Sequence, residues 1–321
     1  MGYRFLIVGS GFSGSVLARE LVSKIDCHVE IWEERNHLAG NCYTSEDDET
    51  GIMIHHYGPH IFNTDDINIW EYFNKYSKLR SYIHRVKAKH QGRLYTLPVN
   101  LDTLSQFFGK KLSPNDAKLL LDNIRNKSII HPKNFEEQAL HLLGEDLYYA
   151  FFYGYTKKQW GCEPRELPAS ILKRLPIRFD HNHNYHLHQY TGIPEKGYTD
   201  FFNNILDHTD ISVCLNKKFF WSESLASLFD HIFFTGSIDS FFNYREGILS
   251  YRTLTFEREV RNGDFQDCPQ VNYCDEDIPF TRITEPKHFT PWKKFDKTII
   301  FKEYSREAVK GDILYYPKRL K

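Results

Sequence analysis

The chain opens with a short apolar run, Phe5 to Val8, that stops at a glycine-rich turn. The next apolar positions, Val16, Leu17 and Leu21, fall on one face at helical spacing. A second strand is predicted for CHVEIWEE, residues 27–34, at the distance a βαβ unit requires. Between Tyr82 and Leu97 the pattern changes to two alternating strands around an HQGR turn. Helical signals follow. Asn100 caps a short helix closed by Gly109, Ser113 and Pro114 open another, and the apolar positions of FEEQALHLLGEDLYYAFFYGYT predict one long helix over 135–156. From Ile193 a turn and helix (GIPEKGYTDFFNNIL), a strand (ISVCL) and a buried strand (DHIFFTGSI) restore α/β character, and the last belongs beside the first two. Residues 247–304 read as four antiparallel strands, YRTLTFEREV, QVNYC, FTRITEP and TIIFKEY.

Composition narrows the classes. With 41 Lys and Arg against 42 Asp and Glu in 321 residues, no net field draws the chain to nucleic acid or an anionic membrane, so anion binding has to be local. Aromatic residues make up 16%, well above ordinary usage, which suits flat ligands or ring-rich packing. The six cysteines form no CxxC pair, so neither a zinc site nor a disulfide framework is expected, no metal is assigned, and the thiols read as reduced. No stretch approaches the roughly 18 apolar residues of a membrane span, and no cleavable leader follows the first strand. A cytoplasmic protein without membrane insertion is expected.

Gly9, Gly11 and Gly14 form GxGxxG between the first strand and the first helix. The first glycine allows the tight turn, the second lets a pyrophosphate reach the backbone, and the third lets helix close on strand. With Ser10, Phe12 and Ser13 they make a phosphate loop at a helix N-terminus. Glu33, about twenty residues on, stands where a carboxylate holds a ribose hydroxyl pair. FAD and NAD share this fingerprint. Glu34, Arg35 and the small-residue turn at Ala39 and Gly40 before Asn41 favour FAD, as in flavoproteins of the amine-oxidase type. The expected fold is α/β: a Rossmann-like FAD-binding domain (1–80 and 191–242), an antiparallel β-sheet domain (81–98 and 243–316), an inserted helical bundle (99–190) and a tail (317–321).

Five further motifs carry a resemblance: HHYGPHIF (His55 to Phe62), YGYTKKQWG (Tyr153 to Gly161), LPASILKRLPIRF (Leu167 to Phe179), GIPEKGYT (Gly192 to Thr199) and FTRITE (Phe280 to Glu285). In this order, and over essentially the whole chain, they are similar to the bacterial UDP-galactopyranose mutase family. The resemblance implies an isomerase interconverting UDP-galactopyranose and UDP-galactofuranose with FAD that is active when reduced. The flavin nitrogen bonds to the anomeric carbon, UDP leaves, the sugar opens and recloses, and UDP returns, with no net redox. It also implies a homodimer.

By the same resemblance Phe151, Phe152, Tyr155, Thr156 and Trp160 line the nucleotide pocket, where an aromatic face stacks on uracil. Arg174 and Arg282 grip the diphosphate, whose growing charge a planar guanidinium fork suits. Tyr185 and Tyr316 bracket the phosphates, with Tyr315 leaving the second assignment open by one residue. Asn272 contacts the sugar, and His60 and Ile61 lie beside the flavin. Asn63 stands where the family has a titrating histidine, and His84 where an asparagine commonly meets uracil. Family members continue past the YYP motif with a helix and a strand that touch FAD, so apolar surface and a strand edge without that segment are expected to lie open. Alternatives are a mutase for another nucleotide sugar, a flavin oxidase or dehydrogenase on the same scaffold, and an inactive or partner-dependent FAD- or UDP-sugar-binding homologue.

Overall fold

The structure is a computed structural model that describes residues 2–174 and 177–318, without the side chains of Lys173 and Arg174. Arg174 therefore lies outside the described residues in everything that concerns its guanidinium. The chain forms two compact units, 1–82 with 188–249 and 83–187 with 250–321. The second takes in both the segment predicted as a helical insert and the predicted sheet.

In the first unit four parallel strands run in the order Ile211–Cys214, Cys27–Trp32, Tyr3–Val8, His231–Phe234. Leu6 and Ile7 are both fully enclosed, as expected of a parallel strand covered on two faces. The helix Phe12–Lys24 returns the chain between the first two strands, and the helix Tyr198–Leu206 adds rings to the same core. Phe73 stacks on Phe201 at 4.1 Å, and Phe12 meets Phe202 at 4.8 Å. The sequence gives no hint of a small sheet in which Tyr190–Pro194 lies between Phe62–Thr64 and Leu79–Ser81, because three-residue strands are too short to show alternation. Among the described residues His231–Phe234 is paired on one side only, and Phe220, Trp221, Ile238 and Ile248 are exposed in the same unit.

The second unit holds a seven-stranded sheet, ordered Tyr316–Pro317, Tyr251–Asn262, Lys297–Glu307, Arg282–Thr284, Gln270–Tyr273, Val86–His90, Arg93–Leu97. The predicted hairpin forms around Gln91 and Gly92, both at positive φ. One pairing departs from the antiparallel expectation: Gln270–Tyr273 runs parallel to Val86–His90. Asn100 and Ser113 cap their helices as expected, each completing a capping box.

The long helix predicted over 135–156 is a correction. Helix Phe135–Leu143 ends at Gly144, where φ is +78° and a Cβ would meet the Ile124 carbonyl oxygen at 2.5 Å. The chain resumes as Glu145–Tyr148, widens into a π-helical turn over Tyr149–Tyr153, and continues as the helix Gly154–Trp160. The wide turn shifts the phase of the faces, so Phe151 and Tyr155 are not related by a simple α-helical spacing. Among the described residues no helix is long and apolar enough to cross a membrane.

Candidate functional site

The three glycines of the GxGxxG turn do three different things. A Cβ on Gly9, at φ +102°, would lie 2.4 Å from the Thr235 hydroxyl, and one on Gly14 would lie 2.0 Å from the Gly9 carbonyl oxygen. One on Gly11 would meet nothing within 4 Å. Gly11 is also the N-cap of a helix with no side-chain cap and no acidic residue in its first turn. A helix N-terminus with its first N–H groups uncapped by a side chain, beside that open space, is where an anion binds.

Glu33 follows directly on the strand Cys27–Trp32, buried, and its two oxygens are divided. Oε2 accepts the Ser10 N–H at 2.9 Å and the Ser10 hydroxyl at 2.7 Å, and Oε1 accepts the Arg35 N–H at 3.0 Å. The carboxylate thereby fixes the glycine turn. Arg35 donates to Asn41 Oδ1 at 2.9 Å and lies over the Tyr57 ring at 4.7 Å, while its Nη1 is buried with no hydrogen-bond partner. Ala39, at φ +76°, and Gly40, at φ +53°, bring the chain back against the Gly11 backbone. An open glycine cradle, an uncapped helix and an orphaned guanidinium nitrogen fit a dinucleotide with a pyrophosphate.

The other predicted cofactor residues are placed as follows. Phe12 packs into the ring core, Ser13 and Glu34 are exposed, and Ile61 is half-buried. His60 holds its Nδ1 2.9 Å from the Gly58 carbonyl oxygen, and its own carbonyl accepts from the Tyr198 hydroxyl at 3.1 Å. Beside it His55 is buried, and burial, reinforced by His60 and His56, pulls its pKa down to about 3. Asn63 uses its amide on the Ile61 carbonyl at 2.8 Å.

In the second unit several of the predicted substrate residues gather around one guanidinium. Arg282 donates through Nε to Glu303 Oε2 at 2.7 Å. Burial alone would lower the pKa of Arg282, but Glu303, Tyr155 and Tyr316 outweigh it and hold the cation firmly protonated. Tyr155, Tyr185 and Tyr316 all feel this charge: burial raises each phenol and Arg282 opposes the rise. It is Tyr316 that interacts with Arg282, and its ring lies 6.4 Å from Trp160. Asn272 stands opposite Arg282 in the strand register and accepts from the Gln270 amide at 2.9 Å. His84 meets Tyr185 edge-on at 5.7 Å. Burial, then His186 and Arg282, lower its pKa to about 3, so the ring is neutral.

Phe151 and Phe152 go elsewhere. Both are buried in the helical core, with the Phe151 ring 5.0 Å from Tyr95 and 5.5 Å from Phe107. Thr156 is buried on the helix that carries Tyr155. Sequence reasoning missed Glu303, whose side chain is 1% exposed, and Lys158, whose ammonium enters a turn of the chain. Asp264, Glu285 and His288 also converge, but Lys287 lies 3.0 Å from Asp264 and already supplies a cation there.

Chemically, the second unit offers a fixed guanidinium ringed by phenols and amides, an arrangement suited to a diphosphate ester. The family model for UDP-galactopyranose mutase matches residues 150–321, and that for an NAD(P)-binding Rossmann-like domain matches residues 7–76. The chain is 48% identical over 322 residues to the dTDP-fucopyranose mutase of Escherichia coli, covering 99% of this chain and 85% of that one. It is 48% identical over 314 residues to the "Probable UDP-galactopyranose mutase" of Klebsiella pneumoniae, covering 98% and 81%. The crystal structure of a reduced UDP-galactopyranose mutase superposes with a TM-score of 0.68 at 14% identity, covering 98% of this chain and 76% of that one, and supports the fold.

Proposed function

The chain belongs to the UDP-galactopyranose mutase family, and from that premise we propose that it is an isomerase interconverting UDP-galactopyranose and UDP-galactofuranose without net redox change. The observation that carries the reading is the half-buried Arg282, held by Glu303, with Tyr155, Tyr185 and Tyr316 in the field of its charge. A leaving diphosphate gathers negative charge as the anomeric bond breaks, and a fixed cation with phenol donors around it stabilises that charge. Asn272 and the neutral His84 add hydrogen-bonding edges near the same cation. Arg174, assigned by resemblance, supplies the second guanidinium.

The Gly9 to Gly14 loop, Glu33, Arg35, Gly40 and Asn41 would hold FAD, the cofactor that the open Gly11 and the orphaned Arg35 Nη1 fit. Bound there and reduced, FAD would supply an electron-rich nucleophile for the sugar, while Arg282 and the phenols around it would stabilise the departing diphosphate. The test is turnover of UDP-galactofuranose by the purified protein with flavin reduced by dithionite and with flavin oxidised. Conversion only in the reduced state is expected. Equal rates in both states would remove the flavin from the chemistry.

A second reading concerns the sugar nucleotide. The relative named dTDP-fucopyranose mutase matches this chain at 48% identity, the same as the relative named for UDP-galactopyranose. Parallel assays with dTDP-fucofuranose and UDP-galactofuranose decide between them by kcat/KM.

A further inference from the structure

Lys158 buries its ammonium inside the turn that joins the strands Gln270–Tyr273 and Arg282–Thr284. Its three N–H donors are shared among four carbonyl oxygens, those of Asp275 at 2.7 Å, Tyr273 at 2.8 Å, Ile278 at 2.9 Å and Phe280 at 3.2 Å from Nζ. These four acceptors come from both limbs of the turn. They converge on the ammonium, and a point charge with rotatable donors suits such a ring better than a planar group would.

Local geometry lets the lysine reach. Gly154, four residues earlier on the same helical face, abuts the turn so closely that a Cβ there would lie 2.3 Å from the Cys274 carbonyl oxygen. Tyr155, the next residue, is the phenol that shares the field of Arg282. One short helix therefore carries both a group that feels Arg282 and the cation that closes the turn leading into Arg282. From outside, the same turn is tied by Asp275, which meets His90 Nδ1 at 2.6 Å and the Gln91 N–H at 2.9 Å. Lys157 binds Glu276 at 3.0 Å on an exposed surface, where the pair contributes little.

We infer that Lys158 is a positioning residue: by gathering four carbonyls of the 273–280 turn it sets where Asn272 and Arg282 stand relative to Tyr155, and so sets diphosphate affinity. This rests on the proposed reading of Arg282 as a diphosphate ligand. Removing the ammonium frees four inward carbonyls, which must turn outward to find water, and the strand ends must follow.

Three variants, Lys158→Met, Lys158→Arg and Lys157→Met, are compared with the wild type by titration with UDP and by hydrogen exchange of peptides spanning 270–284. In Lys158→Met, exchange over 273–281 is expected to rise at least tenfold and the UDP Kd about tenfold, with KM for the sugar nucleotide rising more than kcat falls. Lys158→Arg keeps the charge but not the four-way geometry and should fall between. It serves as the test should the methionine variant not fold. Lys157→Met should leave both readouts within twofold. Faster exchange of the turn with UDP affinity unchanged would overturn the positioning role, and unchanged exchange in both Lys158 variants would overturn the clamp itself. A wild type that takes no UDP would overturn the proposed function, while hydrogen exchange still decides the clamp.

Discussion

Arg282 and Glu303 face each other in register across neighbouring strands, with Nε 2.7 Å from Oε2 and the glutamate side chain only 1% exposed. A carboxylate this enclosed is tolerable because the cation beside it and the Thr281 hydroxyl occupy its lone pairs. Glu303→Gln leaves the guanidinium buried without its counter-charge and is expected to cost about 3–5 kcal/mol in urea unfolding. The double variant Arg282→Met/Glu303→Leu should recover most of that loss while abolishing nucleotide binding. A single variant as stable as the wild type would mean that the pair is not what holds this part of the sheet.

The glycine turn separates folding from cofactor uptake. Gly14→Ala places a methyl 2.0 Å from a backbone oxygen and should destabilise or unfold the first unit, seen as lost soluble yield and a lower Tm. Gly11→Ala adds a methyl to open space at an ordinary negative φ, so stability should change by no more than about 1 kcal/mol. Its flavin absorbance after reconstitution should nevertheless fall sharply, because that space is what the pyrophosphate would use.

Two aromatic positions read alike in the sequence should part company on truncation. Phe151→Ala empties a site among Tyr95, Phe107 and the helical core and should cost about 3–5 kcal/mol. Tyr155→Phe keeps the ring and removes only the hydroxyl in the field of Arg282, so stability should hold within about 1.5 kcal/mol while UDP binds about tenfold more weakly. Denaturation curves and UDP titrations of both variants make the comparison.

Acid sensitivity follows from His84. Its folded pKa of about 3 lies below the ordinary value of 6.5, with burial the main cause and His186 and Arg282 adding to it. The unfolded chain therefore binds the extra proton throughout that window. Stability is complete above about pH 6.5 and falls by up to about 1.4 kcal/mol per pH unit from this residue as pH drops toward 3. His84→Asn should flatten the decline measured by urea unfolding between pH 7 and 4. His55, with the same low value, contributes a slope of its own.

Much of this architecture is local and was therefore legible. The glycine fingerprint, the Asn100 and Ser113 caps and the HQGR hairpin each depend on a few neighbouring residues. Gly144 was readable as a residue but not as a break, because an isolated glycine within a helical pattern is tolerated unless another segment approaches it. Ile124 is that segment, twenty residues away in sequence. Glu303 was missed for the same reason: in KTIIFKEYSRE a glutamate reads as a solvent-facing strand position, and only its pairing with Arg282 turns it inward. Resemblance, not periodicity, names Tyr155, Tyr185, Arg282 and Tyr316 as one group, and in the structure the three phenols feel the Arg282 charge.

The parallel ladder between Val86–His90 and Gln270–Tyr273 joins stretches made far apart in time on the ribosome. The strand Lys297–Glu307, which fills the middle of that sheet, emerges later still. The early hairpin must therefore wait with an unsealed edge while most of the polypeptide is synthesised, and closing such a long loop is slow. A nascent chain halted before residue 297 would lack the strand that bears Glu303, and would be a substrate for chaperones rather than a smaller working unit.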